Sequence, residues 1–256
     1  AIKKKEMCTN WIVYMQTVRY NNTMYNSLAA YYDALVKDDQ ATQQWADWIG
    51  QVITQGQVLD CACGSGEIDK ELTRRGLVVS ALDLSQEMID IAKKKEAANQ
   101  YYCQNMLDLS NLGQYDGVCC LCDSFNYILS PEDVIHFFQE VFAHLKPGGW
   151  FCFDTHSIDR LVEFSQEWNE TGTFEDGVNY QWSIMAEDDW IYQDFAFYME
   201  QTIQQEHHMQ RVYDPLWLQE QLQPYASQIN ICTDFDQEGV NEGEKIFFQV
   251  RKKEIV

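Results

Sequence analysis

The chain has 256 residues, 46% of them hydrophobic and 14% aromatic, which is enough for a sizeable core in a large α/β domain. Forty acidic side chains face 18 basic ones, and the formal net charge of −22 creates a field that repels phosphate backbones, so a nucleic-acid partner is not expected. No apolar run approaches the roughly 18 residues of a membrane span and the charged start carries no secretory signal, so the expectation is a cytoplasmic protein without a membrane partner.

In chain order, residues 1–22 fit nothing downstream and read as a leader, with one domain over 23–256. Asn26–Val36 and Ala41–Ile53 read as helices, the second carrying Trp45, Trp48 and Ile49 on one face. Val58–Asp60 is a short apolar strand, and Glu67–Arg75 is a helix ended by Gly76. Leu77–Leu82 is a second strand, and Ser85 caps a helix running through Met88 to Lys95. Tyr101–Gln104 and Gly117–Leu121 are the third and fourth strands. Ser130-Pro131-Glu132-Asp133 starts a helix that reaches Leu145, where Lys146-Pro147-Gly148-Gly149 stops it before a fifth strand, Trp150–Phe153.

The alternation of helices with continuously apolar strands predicts a Rossmann-like, mostly parallel sheet covered by helices on both faces. Beyond residue 170 the pattern changes. Val178–Glu187, Trp190–Met199 and Gln201–Val212 are long, aromatic and roughly alternating, which predicts an antiparallel β-meander inserted over 171–213. A helix at Pro215–Gln223 and strands at Ile229–Phe235 and Lys245–Val250 then bring the main sheet to seven strands.

Nine cysteines are present, several of them in apolar strands (Cys61, Cys63, Cys119, Cys120, Cys122, Cys152), where they read as small buried hydrophobes with reduced thiols. Cys119-Cys120-Leu121-Cys122 lacks a second cluster of ligand spacing, so no metal site is expected.

Function is written most clearly in Val58-Leu59-Asp60-Cys61-Ala62-Cys63-Gly64-Ser65-Gly66. This stretch runs from a strand into a glycine turn, where ligands of open α/β sheets bind. Gly64 and Gly66 lack a Cβ and admit close approach to the backbone. The turn has no Lys or Arg, Asp69, three past Gly66, stands where the dinucleotide fingerprint has its third glycine, and Ala62, two before Gly64, stands where a first glycine is usual. Asp60 would repel a pyrophosphate but favours a ligand carrying an ammonium and a sulfonium. S-adenosylmethionine (SAM) is such a ligand. Asp83 ends the second strand 17 residues past Gly66, where a carboxylate accepts from both ribose hydroxyls. Leu84 and Met88 then flank the adenine.

Together with Ala81-Leu82-Asp83-Leu84-Ser85-Gln86-Glu87-Met88, this stretch resembles the first two motifs of class I SAM-dependent methyltransferases. Tyr102-Cys103-Gln104-Asn105-Met106, Tyr115-Asp116-Gly117-Val118 and Leu145-Lys146-Pro147-Gly148-Gly149 resemble the later ones, and the likeness spans roughly 24–254. It implies that Asn105, in place of the usual Asp, and Met106 meet the adenine. Cys122-Asp123-Ser124-Phe125-Asn126-Tyr127 and His207-His208-Met209-Gln210-Arg211 resemble an uncharacterised bacterial branch similar in layout to glycine and amino-sugar N-methyltransferases. There the N-terminal helices fold over SAM, which makes Tyr32, with Tyr25 second, the residue expected at the methionine end.

Methyl transfer from a sulfonium needs a neutral nucleophile held in line, and a base only where the acceptor arrives protonated or weakly nucleophilic. No catalytic dyad stands out in the sequence. Cys122, at the ligand edge, is counted with the cofactor; Tyr127, His156, His207 and Arg211 are the candidate contacts to a small-molecule acceptor, in one reading an amine. Adjacent strand residues face opposite ways, so only one of His207 and His208 looks inward. The meander would roof the acceptor, form a homodimer interface or simply pack on the helices. Two rivals are a non-catalytic SAM-binding protein that docks partners on the meander, and an NAD-dependent oxidoreductase, which Asp60 disfavours.

Overall fold

The computed structural model describes residues 28–254, so the predicted leader, Tyr25 and the start of the first helix lie outside the described residues. Helices α1 (Leu28–Val36) and α2 (Asp39–Gly50) come first, and the Asp38 carboxylate caps α2 by accepting from the N–H groups of Gln40 and Ala41. An alternation follows: β1 (Gln57–Cys61), α3 (Glu67–Arg74), β2 (Val78–Asp83), α4 (Gln86–Lys94), β3 (Gln100–Cys103), β4 (Tyr115–Cys120), a 3₁₀ turn (Ser124–Tyr127), α5 (Pro131–His144) and β5 (Leu145–His156). The expected caps are present: Ser85 Oγ accepts from Met88 N, and Ser130 Oγ accepts from Asp133 N ahead of Pro131.

Next come α6 (Asp159–Glu163), a meander of β6 (Trp168–Thr173), β7 (Asn179–Glu187), β8 (Trp190–Tyr198) and β9 (Ile203–Arg211), then α7 (Pro215–Leu222), β10 (Ala226–Thr233), β11 (Gln237–Glu238) and β12 (Lys245–Lys252). The main sheet has the order β11-β10-β12-β5-β4-β1-β2-β3, parallel from β3 through β5, with β12 and β10 antiparallel at the far side. It has eight strands rather than seven because the two-residue β11 pairs with the end of β10.

Two further differences from the sequence reading have local causes. β5 begins at Leu145, so Lys-Pro-Gly-Gly lies inside the strand; Gly148, at φ 74°, and a register shift between Tyr115 and Gly117 accommodate it. The meander gains β6, an edge strand whose residues Trp-Asn-Glu-Thr-Gly-Thr are mostly exposed and carry no apolar alternation.

One face of the main sheet packs Leu59, Val118, Phe151 and Phe153 against Phe137, Phe138 and Val141 of α5, with Leu218 of α7 joining them. The other face packs Val58, Val79 and Phe247 against Trp45, Trp48 and Ile49 of α2. The meander is a separate sheet. Phe195 and Phe197 of β8 pack with Tyr31, Tyr32 and Leu35 of α1, and Tyr31 stacks on Phe174 at 4.4 Å. Helix α1 is thereby held between the meander and the glycine turn. No described helix is long and apolar enough to cross a membrane.

Candidate functional site

β1 and β4 are neighbours, and the chain leaves them toward opposite edges of the sheet. A crevice therefore opens beyond their carboxyl ends. Asp60, Asp83, Cys122 and His156 all sit at this end of the sheet, on or just after β1, β2, β4 and β5.

The two glycines have different duties. Gly66, at φ 80°, starts α3 where an added Cβ would lie 2.6 Å from the Ala97 Cβ, so helix packing requires it. At Gly64, φ 53°, an added Cβ would meet nothing nearer than Tyr32 at 3.9 Å, so this glycine is the one that leaves the crevice free. Ala62 takes the same turn at φ 70°, a left-handed conformation costing a non-glycine residue roughly 1 kcal/mol.

Asp83 is buried, with Oδ2 accepting from Gly64 N at 2.9 Å and Oδ1 from Ser85 N at 2.8 Å. These bonds tie β2 to the glycine turn and leave lone pairs for a diol. Burial raises the Asp83 pKa, opposed by backbone N–H groups including those of Ser85 and Gly64.

Asp60 lies beside Asp69 of α3, a partner the sequence reading had placed at the missing glycine. Burial lifts Asp60 to about 7, the Asp69 hydrogen bond opposes the shift, and the Asp83 charge adds to it. Burial and the Asp60 charge push Asp69 well above the ordinary carboxylate range. Asp60 Oδ1 is buried and has no hydrogen-bond partner among the described residues. A cation in the crevice answers that deficit; a phosphate deepens it. These carboxylate acceptors fit the sugar hydroxyls and the ammonium of SAM.

Helix α1 closes one side. Ser65 Oγ donates to Asp33 at 2.6 Å, and Lys95 bridges Asp33 and Glu67 at 2.5 and 2.6 Å. This places Tyr32 by Gly64. The Tyr32 pKa is raised by burial first, then by Cys122, Tyr127 and Asp83, so those four side chains share one neighbourhood. Cys122, expected from the sequence to be a buried thiol, is instead exposed, because it sits on a left-handed turn at φ 55° just after β4.

The adenine candidates divide. Leu84 is 44% exposed at the rim, whereas Met88 is buried, so it serves as wall rather than open surface. Asn105 Oδ1 accepts from Leu107 N at 2.9 Å in its own turn, which leaves it one lone pair for an adenine amino group. Met106 is partly buried against the core.

On the acceptor side, Asn126 fixes the turn after β4. Its Nδ2 donates to Thr155 Oγ1 and to the Arg211 carbonyl, and its Oδ1 accepts from His156 N. Lys245, which the sequence reading passed over, forms an ion pair with Asp123 and lies 3.3 Å from Asp154. Burial lowers Lys245 to about 8 and raises Asp154 well above its usual value. His156 pairs with Gln210 at 3.1 Å, and burial lowers it to about 4, outweighing that hydrogen bond. It therefore stays neutral near pH 7 and is too weak a base to hold an acceptor's proton.

The structure shows which of the two adjacent histidines faces inward. His207 points outward and bonds Asp194 at 2.5 Å, while His208 is the inward one and meets Tyr127. Arg211 bonds Asp189 and the Leu129 carbonyl and lies over the rings of Trp190 and Tyr213.

Comparison with known proteins agrees with this geometry. Residues 58–149 match the family model described as "Methyltransferase domain". The chain is 32% identical to "Putative methyltransferase YqeM" of Bacillus subtilis (strain 168) over 246 residues, 91% of this chain and 99% of that one. The crystal structure of a SAM-dependent methyltransferase from Clostridium acetobutylicum is 27% identical, with a TM-score of 0.72 over 90% of this chain and 99% of its own. The sugar N-methyltransferase KedS8 from Streptoalloteichus shares the fold at 17% identity, with a TM-score of 0.75 over 92% of this chain and 96% of its own. The chain belongs to the class I SAM-dependent methyltransferases, with SAM as its cofactor.

Proposed function

We propose that this methyltransferase acts on a small molecule bearing an amine. SAM supplies an electrophilic methyl and leaves as a neutral thioether. Asp83 grips the ribose hydroxyls, Gly64 lets the nucleoside lie against the turn, and Asp60 faces the positively charged methionine end. Asn105, Met106, Leu84 and the buried Met88 form the adenine side, while Tyr32, Ala62, Gly66 and Cys122 complete the enclosure. Residues 168–211 roof the acceptor, so that 23–256 works as one domain.

The observation that carries the amine reading is the charge of the acceptor side. Asp123 stands on a strained turn at φ 61°, ion-paired with Lys245, and the Glu206 side chain lies buried behind Tyr127 and His208. With Asp123 answered by Lys245, the buried Glu206 is the group that favours a cationic acceptor over a carboxylate or phosphate. KedS8, a sugar N-methyltransferase by name, shares the architecture. The decisive experiment incubates the full chain with methyl-labelled SAM and a bacterial metabolite extract. Labelled N-methyl products and S-adenosylhomocysteine (SAH) are expected; label confined to O-methyl or carboxymethyl products would overturn the amine assignment.

A further inference from the structure

The inward face of β9 is unusual. On the paired strand β8, the inward positions include Ile191, Phe195 and Phe197, a row suited to a core. Across the register, Gln210 faces Ile191 and Glu206 faces Phe195, with His208 between them. Glu206, His208 and Gln210 are 6%, 2% and 2% exposed, so three polar groups are buried in a row where apolar ones would pack. Burying a carboxylate and an imidazole is unfavourable unless they are paired, and here the two lie side by side in one row.

The row is aimed at the crevice. Tyr127 Oη lies 3.0 Å from His208 Nδ1, and His208 Nε2 lies 3.5 Å from Glu206 Oε2. The edge of His208 also meets the ring of Phe195 at 5.4 Å, which fixes the imidazole plane. Asn126 pins the turn bearing Tyr127 to β5 and β9, and the Tyr127 hydroxyl neighbours Tyr32 beside Gly64. Tyr127 thus stands where the cofactor side of the crevice meets the meander.

We propose that Tyr127, His208 and Glu206 form a proton relay that deprotonates an ammonium acceptor before methyl transfer, an inference that rests on the amine reading above. The acceptor's N–H proton passes to Tyr127 Oη while the tyrosine's own proton passes to His208 Nδ1. His208, with a proton already on Nε2, becomes an imidazolium beside the Glu206 carboxylate. The freed nitrogen lone pair forms the N–CH₃ bond, and the electron pair of the broken S–CH₃ bond remains on sulfur. Tyr127 touches the acceptor, His208 holds the proton, and Glu206 is a positioning residue that sets the imidazole tautomer.

An acceptor-independent probe is sinefungin, a SAM analogue whose amine replaces the S–CH₃ unit and is cationic at neutral pH. Calorimetry compares its binding with that of SAH, for the unaltered chain, Tyr127→Phe and Glu206→Gln. The expected result is a loss of about tenfold in sinefungin affinity in each variant, with SAH changed less than about twofold, since hydrogen bonds to charged groups are the strong ones. In the labelled-extract assay, His208→Gln should cut transfer by about a hundredfold, the usual contribution of a base. Equal losses for both ligands, no loss for either, or full transfer by His208→Gln would each overturn the relay. If the unaltered chain forms O-methyl products alone, the amine reading itself fails; if it forms N-methyl products while the variants behave normally, only the relay fails.

Discussion

Asp60→Asn sets folding stability against cofactor binding. Burial lifts Asp60 from 3.8 to about 7 in the folded protein. A folded-state pKa above the unfolded value means that the folded chain holds the extra proton. The resulting stabilisation is complete below about pH 4 and is lost as pH rises through 7. At about 1.4 kcal/mol per pH unit, ionising Asp60 between pH 5 and pH 8 withdraws roughly 3 kcal/mol from the cofactor-free protein. The asparagine variant keeps the shape, still offers Asp69 a hydrogen-bond donor and cannot ionise. Urea unfolding without cofactor should show this variant gaining roughly 3 kcal/mol on the native chain from pH 5 to pH 8. The same substitution removes a charge that faces the cofactor, so SAM affinity at pH 8 should fall about tenfold. For the native chain, SAM binding should weaken as pH falls below 7 and level off at about the same tenfold loss, because protonated Asp60 is as uncharged as the asparagine. A stability gap that does not change with pH, or SAM binding that ignores the substitution, would refute this account of the acid pair.

Gly66→Ala should destabilise the protein by about 2–4 kcal/mol in urea unfolding, because its Cβ collides with Ala97 and φ is 80°. Gly64→Ala, with open space at 3.9 Å, should cost only about 1–2 kcal/mol of stability yet weaken SAM binding measured by calorimetry. Ala62→Gly should raise the unfolding free energy by about 0.5–1 kcal/mol, since it relieves a left-handed φ of 70°. Equal behaviour of the two glycine variants would contradict the division of labour between packing and ligand approach.

The cofactor half of the molecule was legible because its signals are local. The strand, turn and acids of Val58–Gly66 and Asp83 lie within 26 consecutive residues, and the caps at Ser85 and Ser130 follow from short-range hydrogen bonding. What was missed depends on long-range register. Asp69 reads in sequence as an ordinary acid in the first turn of a helix, and only the packing of α3 on β1 brings it to Asp60. Lys245 meets Asp123 because β12 pairs with β5, opposite His156. Alternation shows that one of His207 and His208 faces inward but not which one, because Ile-Gln-Gln-Glu-His-His-Met-Gln-Arg has no apolar phase of its own. The phase is carried by Ile191, Phe195 and Phe197 on β8, and the hairpin register transfers it to β9. The polar edge strand β6 lacked any periodic signal, so only its pairing with β7 reveals it.

The most direct test of the cofactor geometry is calorimetric titration of SAM into the native chain and into Asp83→Ala. Asp83 is expected to hold the ribose while anchoring Gly64 and Ser85, so its loss should weaken binding by about 1–3 kcal/mol, roughly five- to 150-fold. Equal affinities for the two proteins would contradict the placement of the nucleoside in this crevice.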